Sequence, residues 1–204
     1  MNEPKTFIEP ILGYALDLIA KIRNRPFVPH SLTKLHNLKY CRDVTKAKTV
    51  IEIGTFKGIT ARRLSYIFDH VITVEIDTVL HEVSKKRCSK RKNITLILGD
   101  GKEVLADLAP SVNRAVLFLD GHFSGGQTGR GEEVEPVLEE IDVISDYIEN
   151  FCAVLVDDFR LFGVEEDWPA KSVVLAKLEK VLPSPMWMHY IMNDQYICVR
   201  GECA

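Results

Sequence analysis

Near the N-terminus Phe7, Ile8, Ile11, Leu12, Ala15, Leu18, Ile19 and Ile22 recur at the spacing of one helix face. Arg25–Pro26 stops that run, because the residue before a proline is pushed out of the helical region, and Pro29 extends the break. A second helix is expected over 31–41, opened by Ser31 as a cap and carrying Leu32, Leu35 and Leu38. From Thr49 the period changes. Short apolar runs at 49–53, 71–76, 94–98, 115–119 and 153–157 alternate with helical stretches near 58–68, 78–91, 101–109 and 132–149, and a further helix covers 170–182. Unbroken apolar strands separated by helices predict a parallel sheet covered on both faces. The last two runs, 186–192 and 195–200, flank the two-residue polar turn Asn193–Asp194, which predicts an antiparallel hairpin. The expected fold class is therefore α/β, with seven strands, mostly parallel, and an antiparallel C-terminal end.

The length of 204 residues suits a single domain, 1–204, with a helical cap at 1–45 and the α/β core at 46–204. With 46% apolar and 27% charged residues the composition is that of an ordinary water-soluble globular chain. A net charge of −3 gives no reason to expect nucleic acid as an electrostatic partner. The local basic run Lys85–Lys86–Arg87 and Lys90–Arg91–Lys92 reads as the solvated end of a helix. Five scattered cysteines without a C-x-x-C pair suit a reducing compartment with free thiols. Neither a leader pattern nor a membrane-length apolar window is visible, so the expected place is the cytoplasm and no membrane partner is expected.

Ligands of an open parallel sheet bind beyond the carboxyl ends of its strands, where strand order reverses. After the first strand comes Glu52–Ile53–Gly54–Thr55–Phe56–Lys57–Gly58–Ile59–Thr60, an E-x-G-x-x-x-G turn. Gly54 permits a tight turn, and Gly58 permits close approach at a helix start, whose free N–H groups favour an anionic group. The dinucleotide pattern G-x-G-x-x-G is absent, since position 56 is Phe. Glu75 ends the second strand, where an acid can accept both hydroxyls of a ribose; it is equally readable as a solvent-facing acid. Asp100, in Gly99–Asp100–Gly101 after the third strand, is either a helix cap or a partner for an adenine amino group.

With these turns in series, the chain resembles the class I S-adenosylmethionine-dependent methyltransferases over roughly residues 49–200, in VIEIGTFKG, VITVEID, LGDG, VLFLDGH and AVLVDD. The resemblance implies a Rossmann-like sheet, with S-adenosylmethionine (SAM) as cofactor. It assigns the methionine part to Glu52, Gly54, Thr55, Phe56, Gly58 and Thr60, the ribose to Glu75, and the adenine to Asp100 and Gly101. Asp120 either approaches the cofactor's cationic sulfonium or serves as a metal ligand.

Strand four ends in Asp120–Gly121–His122 and strand five in Asp157–Asp158. Neighbouring parallel strands lie about 4.8 Å apart, so Asp120 and one later acid open onto one cleft. Like charges that close share a proton, gain a cation or turn away, and oxygen donors without cysteine favour a hard ion such as Mg²⁺ or Ca²⁺. Alternatively Asp157 or Asp158 caps a turn. VLFLDGH and VLVDD are similar to the metal-binding segments of catechol and macrocin-type O-methyltransferases, which implies Asp120, Asp157 and Asp158 as ligands of Mg²⁺ or another divalent cation. The chain departs from the catechol enzyme in a longer intervening segment and in Asp158, which replaces an asparagine.

His122 follows a strand-end acid and has a proton affinity suited to a general base, beside Asp120; it is also readable as a hydrogen-bonding loop residue. The loop 124–131 carries four glycines, and makes either a lid presenting Arg130 to an anionic substrate or a plain connection. Phe159–Phe162 either walls the substrate pocket or packs the core. The expected reaction is methyl transfer to a hydroxyl of a small molecule or sugar, since no N/D-P-P-Y/F segment marks an amide or base as acceptor. An NAD-dependent oxidoreductase and a non-catalytic SAM-binding module stand as alternatives. The apolar N-terminal helix could pack on a second subunit in a homodimer.

Overall fold

The structure, a computed structural model, describes residues 8–25, 27–120, 136–165 and 168–201. The continuous apolar runs form strands β1 (Thr49–Ile53), β2 (His70–Glu75), β3 (Ile94–Leu98), β4 (Ala115–Leu119) and β5 (Phe151–Val156), and the chain ends in β6 (Trp187–Met192) and β7 (Gln195–Arg200). Two helices precede the sheet, α1 (Ile8–Ile22) and α2 (Ser31–Thr45). Between strands lie α3 (Ile59–Leu64), α4 (Thr78–Cys88), α5 (Gly101–Leu108), α6 (Val137–Ser145) and α7 (Lys171–Val181). The seven strands pair in the order β3-β2-β1-β4-β5-β7-β6. β1 to β5 run parallel, and β7 lies antiparallel to both β5 and β6. The α/β expectation and its reversed end hold.

Side-chain alternation divides the core into two layers. Ile51 and Ile53 of β1, with Ala115, Leu117 and Leu119 of β4, face the layer that contains α5, α6 and α7. Val50, Val116 and Phe118 face the opposite layer, closed by Leu38 and Cys41 of α2 and by Ala61 and Leu64 of α3. Helices therefore cover both faces, as buried parallel strands require.

Several boundaries move for local reasons. α2 runs on to Thr45, whose hydroxyl donates to the Cys41 carbonyl, and it stops at Lys46 in the left-handed region. α3 ends at Leu64 rather than near 68, because the carbonyls of Ser65 and Phe68 accept from Arg91 and Asn93. α4 ends at Cys88 and α6 at Ser145, both short of the helical pattern. β5 begins at Phe151 and ends before Asp157, since a register shift at Ala115/Val116 admits an extra residue opposite β4. The turn between β6 and β7 places Asn193 and Asp194 at φ 51° and 64°. That is the two-residue left-handed geometry that matches the twist of a hairpin.

At the entrance to α5, a Cβ added to Gly101 would stand 2.4 Å from Cγ2 of Ile53 and 3.0 Å from Oε1 of Glu140. Gly101→Ala is expected to lower stability by about 1–3 kcal/mol through overpacking, read as a lower urea midpoint at unchanged slope.

Candidate active site

Strand order reverses between β1 and β4, so the loops after these strands part and leave a cleft at their carboxyl ends. The loop after β1 takes positive φ at Gly54 (97°), Phe56 (50°) and Gly58 (69°). A side chain at Gly58 would meet Cβ of Ser84 at 2.9 Å, so glycine is needed there for both conformation and space. The amides of Gly54 and Thr55 donate to the Val74 carbonyl, which ties the loop to β2. Beneath it Glu52 is fully buried. Its Oε2 accepts from the Thr73 hydroxyl at 2.6 Å, and Thr73 in turn contacts the Thr55 hydroxyl at 2.6 Å. Oε1 of Glu52 has no hydrogen-bond partner among the described residues. Burial, helped by the charge of Glu75 and opposed by the Thr73 hydrogen bond, pushes the Glu52 carboxyl up to about 8.

Glu75 is buried at the end of β2. It accepts from the Phe56 amide at 2.6 Å and from the Asp77 amide at 2.9 Å. Burial raises its proton affinity, and those amides pull it back. Asp100 takes the cap reading: its carboxylate accepts from the amides of Lys102 and Glu103 at the start of α5. Phe56 projects outward, with the Lys57 ammonium 5.0 Å from its ring centre.

On the other side of the cleft the backbone ladder runs one residue past the strands. The Asp120 amide donates to the Ile53 carbonyl and the Asp157 amide to the Leu119 carbonyl, both at 2.9 Å. Asp120 and Asp157 line a cleft of about 140 Å³ together with Thr60, Ser31, Phe118 and Lys34. Lys34 comes from α2, and sequence reasoning passed over it. Its Nζ lies 3.0 Å from Asp157 and in direct contact with Asp158, with Asp194 at 3.7 Å. Burial works against the charged ammonium, yet Asp157 and Asp158 outweigh it, and Lys34 holds its proton more tightly than usual. Asp158, at φ 47°, also pairs with Arg160, which bonds Asp194 as well. Burial would raise the Asp158 carboxyl, but Lys34 and Arg160 hold it below the usual carboxylate range. Asp120 goes the other way. Burial first, then the charges of Asp157, Glu52 and Asp158, push it well above the usual range against the pull of Lys34.

These positions do not fit the expected divalent ion. The point between Asp157 and Asp158 is taken by an ammonium, and among the described residues no group of three His, Cys, Asp or Glu side chains is arranged to hold a metal. Phe159 takes the packing reading. It is buried against Phe162 and Tyr196, with ring centres 5.8 and 5.2 Å away. His122 and Arg130 lie outside the described residues. A signal for Lys34 was present: it stands between Ser31 and Leu38 on the face that α2 turns to the core, an unusual place for a lysine. Asn37, one turn on, donates to the Met192 carbonyl and to Gln195, and accepts from Asn193.

A family model described as ribosomal RNA adenine dimethylase matches residues 29–105. A protein-L-isoaspartate O-methyltransferase of Thermosipho melanesiensis is 37% identical over 73 residues, which cover 33% of this chain and 37% of that protein. The chain thus matches little more than a third of that relative's length. Solved structures align much further. A putative caffeoyl-CoA O-methyltransferase from Staphylococcus aureus superposes with a TM-score of 0.57 at 18% identity, covering 92% of this chain and 91% of that one. The O-methyltransferase TomG from Streptomyces achromogenes, involved in tomaymycin synthesis and solved with SAM, gives 0.60 at 14% identity over 94% and 98%.

Because folding raises the Glu52 carboxyl from 4.5 to about 8, the folded state binds its proton more tightly than the unfolded chain. That stabilising contribution is complete below about pH 4.5 and is lost as pH rises through about 8. Melting temperatures measured from about pH 5 to pH 9 should decline more steeply for the wild type than for Glu52→Gln, which keeps the Thr73 hydrogen bond without a titrating group.

Proposed function

The chain has the fold of the class I SAM-dependent methyltransferases, and we propose that it transfers the methyl group of SAM to a hydroxyl oxygen of a small molecule or sugar. The observation that carries this reading is the row of acids at the carboxyl ends of adjacent strands. Glu52, Glu75 and Asp120 surround the switch point, and a buried Glu52 oxygen has no donor among the described residues. That oxygen suits a cationic or N–H donor such as the methionine ammonium of SAM. The carboxylate of Glu75 suits two ribose hydroxyls, and the start of α5 at Gly101 suits the adenine edge. Bound SAM supplies a methyl already made electrophilic by its sulfonium.

The remaining work falls to the chain. The acceptor must be aligned for in-line attack and relieved of its proton. Lys34 lines the cleft and fixes Asp157 and Asp158 at its edge, which shapes the place where the acceptor oxygen sits. His122 is the candidate that accepts the hydroxyl proton, as a neutral imidazole can, while Asp120, pushed towards its protonated form, lines the cleft. No step runs through a divalent ion, because Lys34 holds the carboxylates that would bind it. A homodimer belongs to the same reading. Ile11, Leu12, Leu16, Ile19 and Ile22 of α1 are exposed, a large apolar surface for a lone chain, and a second copy would cover it.

Calorimetry with S-adenosylhomocysteine should show one site per chain, weakened about tenfold or more by Glu75→Ala, which removes charge-assisted hydrogen bonds. NAD should give no heat; tight NAD binding with no response to the homocysteine compound would end this reading. Sedimentation should give a dimer for the wild type and a monomer for a Leu16→Glu, Ile19→Glu double variant.

A further inference from the structure

Three carboxylates meet beyond the ends of β5 and the β6–β7 turn. Asp157, Asp158 and Asp194 converge on a single ammonium, while Arg160 closes the cluster from outside through Asp158 and Asp194. Lys34 reaches it from the core-facing side of α2, so its stem is packed and its head is fixed. Its side chain is only 13% exposed, and those of Asp157 and Asp194 are 7% exposed. Charges so placed are tolerated only when each has a partner.

We propose that Lys34 is the resident cation of this site and occupies the position a divalent metal would otherwise take. The proposal deepens the reading above, and its test does not depend on methyl transfer. Magnesium requires oxygen ligands at about 2.0–2.1 Å in near-octahedral geometry, and calcium at about 2.3–2.6 Å. An ion between Asp157 and Asp158 has to displace the ammonium that already touches both. An ion beside the ammonium meets its full repulsion, in surroundings that screen it poorly. The charges are also nearly met without a metal. Lys34 and Arg160 set two positive charges against Asp157, Asp158 and Asp194, and Asp120 holds its proton beyond the usual range. Lys34 is thus a positioning residue for the carboxylates, and the site takes no divalent cation while it is present.

Removing the ammonium uncovers the difference. Lys34→Met keeps the length and apolar packing of the stem, leaves only Arg160 against Asp158 and Asp194, and lets the carboxylates turn from the ammonium onto an ion. The EDTA-treated full chain, without cofactor, is titrated with Mg²⁺, Mn²⁺ and Ca²⁺ by calorimetry, and melted with and without about 5 mM of each ion. The wild type is expected to bind none, with an unchanged melting temperature. Folded Lys34→Met, judged by its circular dichroism, is expected to bind one ion per chain with a Kd of about 1 mM or tighter, and to melt higher with the ion present. Lys34→Arg retains the positive charge and is expected to behave as wild type, which separates loss of charge from damage to α2. Stoichiometric binding of any of these ions by the wild type at sub-millimolar Kd overturns the proposal, as does a folded Lys34→Met that binds none. If Lys34→Met does not fold, the wild-type titration alone decides. Failure to bind S-adenosylhomocysteine, in contrast, would count against the methyltransferase reading and leave this one standing.

Discussion

Strands β1 and β4 are hydrogen-bonded neighbours although β2 and β3 come between them in the chain. The parallel ladder also continues past the strand ends, through the Asp120 amide on Ile53 and the Asp157 amide on Leu119. Backbone pairing in this register fixes where the side chains of Glu52, Asp120 and Asp157 emerge, whatever their charges. Packing of Val50, Val116 and Phe118 on one face, and of Ile51, Leu117 and Leu119 on the other, forbids a slip by one residue, which would turn core into surface. The acids are therefore brought together by the hydrophobic core, and the electrostatics must be solved in place.

The solutions differ along the row. Glu75 is met by backbone amides, and Asp100 by the first turn of α5. Asp158 is met by two cations and stays ionised, while Glu52 and Asp120 are pushed towards the protonated form. The carboxyls are thus divided between Asp158, kept ionised beside Lys34 and Arg160, and Glu52 and Asp120, which burial pushes towards holding a proton. Such a division is what a site must have if one group is to hold a hydroxyl while another relieves it of its proton.

Most of the frame was legible because it rests on short-range rules. Continuous apolar runs gave parallel strands, and Asn193–Asp194 gave the hairpin because two left-handed residues are what its twist demands. The acids at the strand ends were legible for the same reason, since a strand end can be read to within a residue or two. Less legible were features set by tertiary neighbours. The stop of α3 depends on Arg91 and Asn93 reaching back to Ser65, and the start of β5 depends on a shift against β4. The metal expectation considered only the strands, and α2 adds a cation that it left out. The lysine that faces Asp157 and Asp158 belongs to α2, more than a hundred residues away in the chain, and its odd place on the core-facing side of that helix is the one sequence signal for it. Phe159 was ambiguous between pocket wall and core, and Phe162 and Tyr196 decide it.

Asn37 clasps the β6–β7 turn through the Met192 carbonyl, Gln195 and Asn193, one turn along α2 from Lys34. Near the start and near the end of the fold, α2 and the hairpin are thereby fastened to each other across the mouth of the cleft. Fluctuations of the two segments are consequently coupled: neither can peel away without exposing the polar groups of the other, so they open and close as one cooperative unit. A tight binder that spans the helix and the turn is therefore expected to protect both from exchange at once.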